Sequence, residues 1–235
     1  MLWLGSSQLL DKIDCRDVLV LGTRVAISTT ARDLCVVIDC ELSLAAHITA
    51  VCCSGYNQLL QLSPVVRSLS MNATKTLVQA FISCHLDYCN SLLYGISDEL
   101  LQRLQSVQNT AARLVTGARC SDHITPVIWQ LHWLSVCQRV AFKIAGLVHQ
   151  SLAGAAPAYH ADDCHLLSDV GRRPLRSHSN DIRKLLVPRT HNKLGDRSFS
   201  AAGPQLWNDL PPALWRPGLS FDSFRRSLKT HLFGD

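Results

Sequence analysis

The stretch DVLVLGTRVAI, residues 17 to 27, sets two β-branched runs either side of Gly22-Thr23, the pattern of a hairpin. RDLCVVID, 32 to 39, predicts a third short strand. After Ser43, read as an N-cap, Leu44, Ile48, Val51, Gly55, Leu59 and Leu62 recur at helical spacing up to Pro64. A second helix is predicted from about Asn72 to Leu93, with Leu77, Phe81, Cys84 and Tyr88 on one face and Gly95 as its stop. The third has the clearest ends: Ser97 caps it, Asp98 and Glu99 suit its positive N-terminus, and Gly117 closes it. Its apolar stripe is Leu100, Leu101, Leu104, Val107, Ala111, Leu114 and Val115, with Gln102, Gln105, Gln108, Asn109 and Arg113 mostly off it. Three amphipathic helices joined by short turns each bury a face against the other two, as in a small bundle.

Farther on, TPVIWQLHWL predicts a short helix with Thr125 as cap and Pro126 in its first position. Val136, Val140, Ile144, Leu147 and Val148 mark another helix ending near Gly154. From Ala155 to about Pro217 periodicity is broken by Pro, Gly, Ser and Arg; KLLVPRT is strand-like there, and PQLWNDL reads as one or two helical turns. SFDSFRRSLKTHLF predicts a closing helix, Phe221, Phe224, Leu228 and Leu232 inward and Arg225, Arg226 and Lys229 outward. No internal repeat or low-complexity tract is present. The expected fold class is mainly α: short N-terminal strands, a three-helix bundle, then a mixed, loop-rich helical C-terminal segment.

With 235 residues, 47% of them hydrophobic, the chain is long and apolar enough for one large domain or two small ones and is no disordered tail. No apolar run approaches the roughly 18 residues of a membrane helix, so no membrane association is expected. The start, MLWLGSSQLLDK, lacks the basic flank and apolar core of a secretory signal and reads like the middle of a domain. Ten cysteines without such a signal point to free thiols in a reducing, intracellular compartment, nuclear or cytoplasmic alike.

Charge alters this picture more than composition does. Residues 1 to 100 carry 6 Lys+Arg against 9 Asp+Glu; residues 101 to 235 carry 17 against 9. Within 171 to 197, Arg172, Arg173, Arg176, Arg183, Lys184, Arg189, Lys193 and Arg197 face only Asp181 and Asp196. Arginine predominates, and its planar fork suits phosphate, so phosphate binding is favoured there over a merely solvated loop.

Other chemistry is thin. Cys84, His85 and Cys89, with Cys120 and His123, come nearest to zinc spacing, but helical residues 84 and 89 project about 140° apart, and core thiols are the better reading. Trp129, Trp133 and Trp207 lie in apolar-periodic segments, which favours core packing over stacking on bases. AYHADDC, 158 to 164, offers Asp162 and Asp163 as adjacent carboxylates; it follows a Gly/Ala/Pro loop without flanking strands, so a loop is expected rather than a metal site. Nothing like G-x-S-x-G is present, and the isolated glycines of GTR and GAR form no phosphate-cradling loop.

Five blocks occur in fixed order: LVQAFISCHLDYCNSLLYG, LQSVQNTAARLVTG, DHITPVIWQLHWLSV, VPRTHNKLGDRSFSAAGPQLWNDLP and SFRRSLKTHLF. Together they resemble the C-terminal portion of the reverse transcriptase of LINE-type non-LTR retrotransposons, over essentially the whole chain. The resemblance implies a remnant of palm strands at 1 to 42 and a thumb-like helical bundle at 43 to 117. Connecting helices at 118 to 154 and a basic, loop-rich C-terminal segment at 155 to 235 would follow. The family's catalytic aromatic-x-Asp-Asp turn, which holds magnesium in the intact parent enzyme, would lie upstream of Met1. The chain itself is therefore expected to be no enzyme and to need no cofactor, its partners being an RNA/DNA template-primer and the parent's palm and fingers.

A thumb tracks a duplex through cations and amides on phosphates rather than through base edges. The candidate nucleic-acid contacts are Lys75, Arg103, Arg113 and Arg119 in the bundle, then Arg172, Arg173, Arg176, Arg183, Lys184 and Arg189 beyond it. Two departures from the family pattern stand out: Cys35 where DLGV has glycine, and Ser135 where HWLPV has proline. The first disturbs any positive φ that the glycine served; the second still offers a helix cap. A helical protein-interaction module, or a decayed translated relic with no selected role, are the rival expectations.

Overall fold

The computed structural model describes residues 1–13, 15, 17–168, 183–216 and 218–234. It is mainly helical, with short antiparallel strand pairs near the N-terminus, as expected. Two compact units are formed: Met1–Cys89 with Ile96–Trp133, and Asn90–Gly95 with Leu134–Asp235.

In the first unit a four-residue helix, α1 (Ser7–Leu10), precedes two separate hairpins rather than three strands. β1 (Asp17–Val20) pairs with β2 (Thr23–Ala26), and β3 (Thr30–Asp33) pairs with β4 (Val36–Asp39). The predicted third strand thus folds back at Leu34-Cys35, and the first turn is Leu21-Gly22 rather than Gly22-Thr23. Two-residue loops need positive φ to match the strand twist. Leu34 and Cys35 meet that need at φ 43° and 65°, Leu21 and Gly22 at 50° and 81°. Cys35 therefore occupies the very conformation that a glycine at its position would serve.

β4 leads into α2 (Ala45–Val66) through a turn organised by Asp39. Its carboxylate accepts from the backbone N–H of Glu41, Ser43 and Leu44 and from the Ser43 hydroxyl. Leu44, at φ 63°, is the N-cap residue, one position later than the sequence predicts. Ile48, Cys52, Gly55 and Leu59 form the buried stripe of α2.

The second helix departs most from expectation. α3 (Met71–Val78) passes into a single π turn at Gln79–Ser83, then α4 (Cys84–Asp87), and ends before Tyr88 rather than at Leu93. Its buried residues are Thr74, Val78, Ile82, Ser83 and Leu86; Phe81, Cys84 and Tyr88, predicted inward, are exposed, and Leu77 is half-buried. Spacing of four would drift about 40° per step around a 3.6-residue helix, and the wider π turn offsets that drift. Cys89 at φ 51° breaks the chain, and Asn90–Leu93 forms a 3-10 turn in the second unit.

α5 (Asp98–Thr116) follows the predicted limits, with Ser97 as N-cap and Gly117 at φ 72° as C-cap. It packs on α2 and α3, giving the small bundle. The α2–α5 approach is close: a Cβ on Gly55 would stand 2.8 Å from Val107 Cγ1. Gln108, expected off the stripe, is buried. α6 (Ile124–Gln130) is capped at His123, two residues earlier than Thr125, so Pro126 occupies its third position.

The second unit centres on α7 (Val136–Leu152), which opens with a capping box between Ser135 and Gln138. Ser135 thus caps this helix as anticipated. α8 (Ala158–Ala161), α9 (Lys193–Asp196), α10 (Phe199–Asp209) and α11 (Phe221–Gly234) complete the unit, with a 3-10 turn at Pro212–Trp215. The one or two turns predicted around PQLWNDL are the end of an 11-residue helix, whose Pro204 is buried. α10 and α11 both pack on α7, and Trp207, Phe224 and Leu228 are fully buried.

Candidate nucleic-acid interface

Four predicted contact residues lie in the first unit. Lys75, half-buried on α3, donates from Nζ to the Leu131 carbonyl at 3.4 Å. Arg103, exposed on α5, reaches across to α2, where its Nη2 lies 3.0 Å from Thr49 Oγ1. Arg113 turns to the loop after α5, donating from Nε to the Arg119 carbonyl at 3.3 Å and from Nη2 to the Asp122 carbonyl at 3.4 Å. Arg119 is exposed, and its backbone N–H donates to the Asp122 carboxylate at 2.7 Å.

Arg113 and Arg119 are therefore brought together around Asp122, whereas Lys75 and Arg103 bond to other elements. Among the described residues the acceptors of Lys75, Arg103 and Arg113 are all neutral oxygens. A carboxylate would cancel their charge; a carbonyl or hydroxyl orients the side chain and leaves the charge for another anion. Asp122 is the local countercharge.

In the second unit, Arg183 and Lys184 are half-buried and Arg189 is exposed. Arg172, Arg173 and Arg176 lie outside the described residues. The backbone around Arg183 and Lys184 is held as one rung. Leu185 bridges antiparallel to Leu166, Leu167 N–H donates to the Lys184 carbonyl, and Leu186 N–H to the His165 carbonyl. From the other side, Asn208 accepts from Leu185 N–H at 2.8 Å and donates to its carbonyl at 2.9 Å, as a neighbouring strand would. The Trp207 indole N–H caps the Arg183 carbonyl at 3.1 Å, and that of Trp215 caps the Trp207 carbonyl at 3.0 Å.

Arg197, counted with the basic stretch, instead turns inward. Its Nε donates to the Tyr94 carbonyl at 3.1 Å and its Nη2 to Leu92 at 3.5 Å, satisfying the end of the 3-10 turn. Gly95, at φ 67°, leaves it room: a Cβ there would sit 2.8 Å from Arg197 Cγ.

The tryptophans divide. Trp207 is 1% exposed and belongs to the core as expected, and Trp133 is half-buried. Trp129 is 60% exposed, against expectation, because α6 buries Ile128 and its C-cap residue Leu131 instead. The thiols divide too. All ten cysteines are free, but only Cys52 and Cys164 are buried; burial pushes the pKa of both above the ordinary thiol value. Cys84 and Cys120 are exposed rather than packed in the core.

Among the described residues no group of three His, Cys, Asp or Glu is placed to hold a metal ion. Asp162 is the C-cap of the four-residue helix α8 and Asp163 follows it. The pair sits after a helical turn rather than on a hairpin, and among the described residues no third carboxylate joins it in a metal-binding group.

Three organising residues escaped the sequence reading: Asp39, Asn208 and Arg197. Asp39 had a faint signal, an Asp four residues before a Ser at a helix start. Asn208 and Arg197 act on partners 23 and 103 residues away, which no local pattern reveals. No protein-family model matches the chain, and no curated protein or solved structure matches it either.

Proposed function

We propose that the chain is the thumb and C-terminal segment of a non-LTR retrotransposon reverse transcriptase and grips template-primer nucleic acid by its phosphates. The observation that carries this reading is the bonding of Lys75, Arg103 and Arg113 to neutral oxygens, which holds three cations in place without discharging them. On this reading the segment binds and polymerisation belongs to palm residues outside it. The ordered sequence blocks supply the family; the helical bundle is a shape compatible with it.

The test is binding of a fluorescent RNA–DNA hybrid across a salt series. Non-specific phosphate contacts give dissociation constants of about 10⁻⁴ to 10⁻⁶ M at physiological salt and a steep salt slope. Replacing Lys75 and Arg103 with Gln should make log K against log salt shallower by roughly 2. Binding that ignores salt, or a slope untouched by both changes, would reject the reading.

A second reading has one observation in its favour. Leu19, Leu21 and Leu34 on the two hairpins are exposed, Leu21 completely. Apolar hairpin surface of that kind suits a protein partner. Association through those hairpins would persist in high salt and be abolished by replacing Leu19 and Leu21 with Thr.

A further inference from the structure

α7 and α11 pack against each other, and their contacts show how they align. Phe221 lies over Gly146, where a Cβ would meet its ring at 3.9 Å. The Arg225 guanidinium lies 5.8 Å from the centre of the Phe142 ring and 5.6 Å from that of Phe221. Gln138 donates from Nε2 to the Leu232 carbonyl. Advancing along α11 from 221 to 232 therefore means retreating along α7 from 146 to 138: the helices are antiparallel, and Arg225 bridges them.

That alignment gathers cations. On α11 the buried residues are Phe224 and Leu228, while Arg225, Arg226 and Lys229 are exposed. At about 100° per residue, Arg225 and Lys229 flank the buried stripe and Arg226 continues the same side. On α7, Lys143 is exposed and is the chain neighbour of Phe142, the ring under Arg225. α7 carries no acidic residue, and on α11 the only one is Asp222, in the first turn. The guanidinium–ring contacts fix Arg225 without neutralising it, because a ring quadrupole carries no net charge.

We infer that Lys143, Arg225, Arg226 and Lys229 form a second phosphate-binding seam, on the second unit, that takes the sugar-phosphate backbone of a nucleic acid. It rests on the reading above that the chain binds nucleic acid, and it adds a surface that the basic loop around 171 to 197 does not include. Complementarity of charge selects the occupant. The seam shows clustered cations, with Arg225 lying over the Phe142 and Phe221 rings, and such a cluster suits the closely spaced phosphates of a nucleic acid.

The experiment uses the full chain with Lys143, Arg226 and Lys229 all changed to Gln; all three are exposed, and among the described residues none has a side-chain hydrogen bond or ion pair, while Arg225 is left in place. Thermal melting should match the parent. Binding of a labelled RNA–DNA hybrid, followed by anisotropy from 50 to 200 mM salt, should lose about 2 to 3 from the log–log slope and weaken at least tenfold at low salt. A parent that binds with a steep slope, and a triple variant that binds identically, would overturn the seam and leave the bundle reading standing. A bundle variant at Lys75 and Arg103 with no effect, beside a seam variant with the full effect, would instead remove the bundle and keep the seam. Parent protein that binds no hybrid at any salt sinks both. Vesicles of phosphatidylserine form the last arm: if they are bound by the parent, lost by the triple variant, and the hybrid is unaffected, the seam is a membrane surface and the inference is wrong.

Discussion

The two units reach stability by different routes and carry opposite charge. The first holds 9 Lys+Arg against 10 Asp+Glu, the second 14 against 8. The first is a periodic structure, in which α2 and α5 meet along stripes of Ile48, Cys52, Gly55 and Leu59 against Leu104, Val107 and Ala111. The second keeps an irregular chain in place with side chains that act as backbone: Asn208 imitates a strand beside Leu185, Trp207 and Trp215 cap carbonyls, and Arg197 closes a 3-10 turn. Periodic burial tolerates an almost neutral surface. An irregular segment has few repeating contacts, so each directed hydrogen bond counts for more.

The sharpest way to break this contrast is Asn208→Ala. It leaves the N–H and carbonyl of fully buried Leu185 without their amide partner, and each such group costs about 1 to 3 kcal/mol. Denaturant unfolding should show a loss of about 2 to 4 kcal/mol, with hydrogen exchange accelerated first at residues 183 to 186. A loss under 0.5 kcal/mol would mean that the rung is not what holds that segment.

Next is Gly55→Ala in the first unit. The added Cβ meets Val107 Cγ1 at 2.8 Å on the face where two helix backbones come together, and overpacking of this kind costs about 1 to 3 kcal/mol. Exchange should rise in α2 and α5. An unchanged melting curve would show that the bundle yields easily and that its stripe is loosely specified.

Cys35→Gly works in the opposite direction. Left-handed backbone costs a non-glycine residue roughly 1 to 2 kcal/mol, and Cys35 holds φ 65° while its thiol is exposed. Glycine there should stabilise the β3–β4 hairpin by about 1 kcal/mol, less what its flexible unfolded state returns. Equal or lower stability would show that the cysteine side chain contributes something to the turn.

The smallest effect is a pH dependence to which the second unit contributes His149. His149 stacks on Phe224 with ring centres 4.3 Å apart, and burial holds its pKa below 6.5 despite a backbone hydrogen bond at Leu219; the Arg183 charge adds to the lowering. A depressed histidine binds fewer protons folded than unfolded, so its contribution is complete above pH 6.5 and declines as pH falls below it. His149→Phe should flatten the fall in melting temperature between neutral and acid pH. His47, also depressed by burial and accepting from Val37 N–H, acts with the same sign in the first unit, so the flattening should be partial. A variant with the parent's full acid sensitivity would exclude His149 as the source.

Legibility cut across that division. The limits of α5 and the cap of α7 were readable because Ser97, Gly117 and Ser135 act on residues within four positions of themselves. The second helix was misread at its inner face, since a π turn at Gln79–Ser83 carries no signature in a 3.6-residue count. Of the candidate site, the cations were visible as residue types but their partners were not. Nothing in the sequence told Arg197, which turns inward, from Arg189, which faces solvent.

From the residues alone came the class of the protein: helical stripes, polar turns, a basic second half and the ordered blocks on which the proposed family rests. These depend on neighbours along the chain, and short-range sterics and burial are enough to express them. Tertiary structure decided which cations stay available for an anion. The outcome for Arg103, Arg113, Arg197 and Arg225 turns on which carbonyl, hydroxyl or ring arrives from a distant segment, and a guanidinium takes whichever acceptor the packing sets within reach.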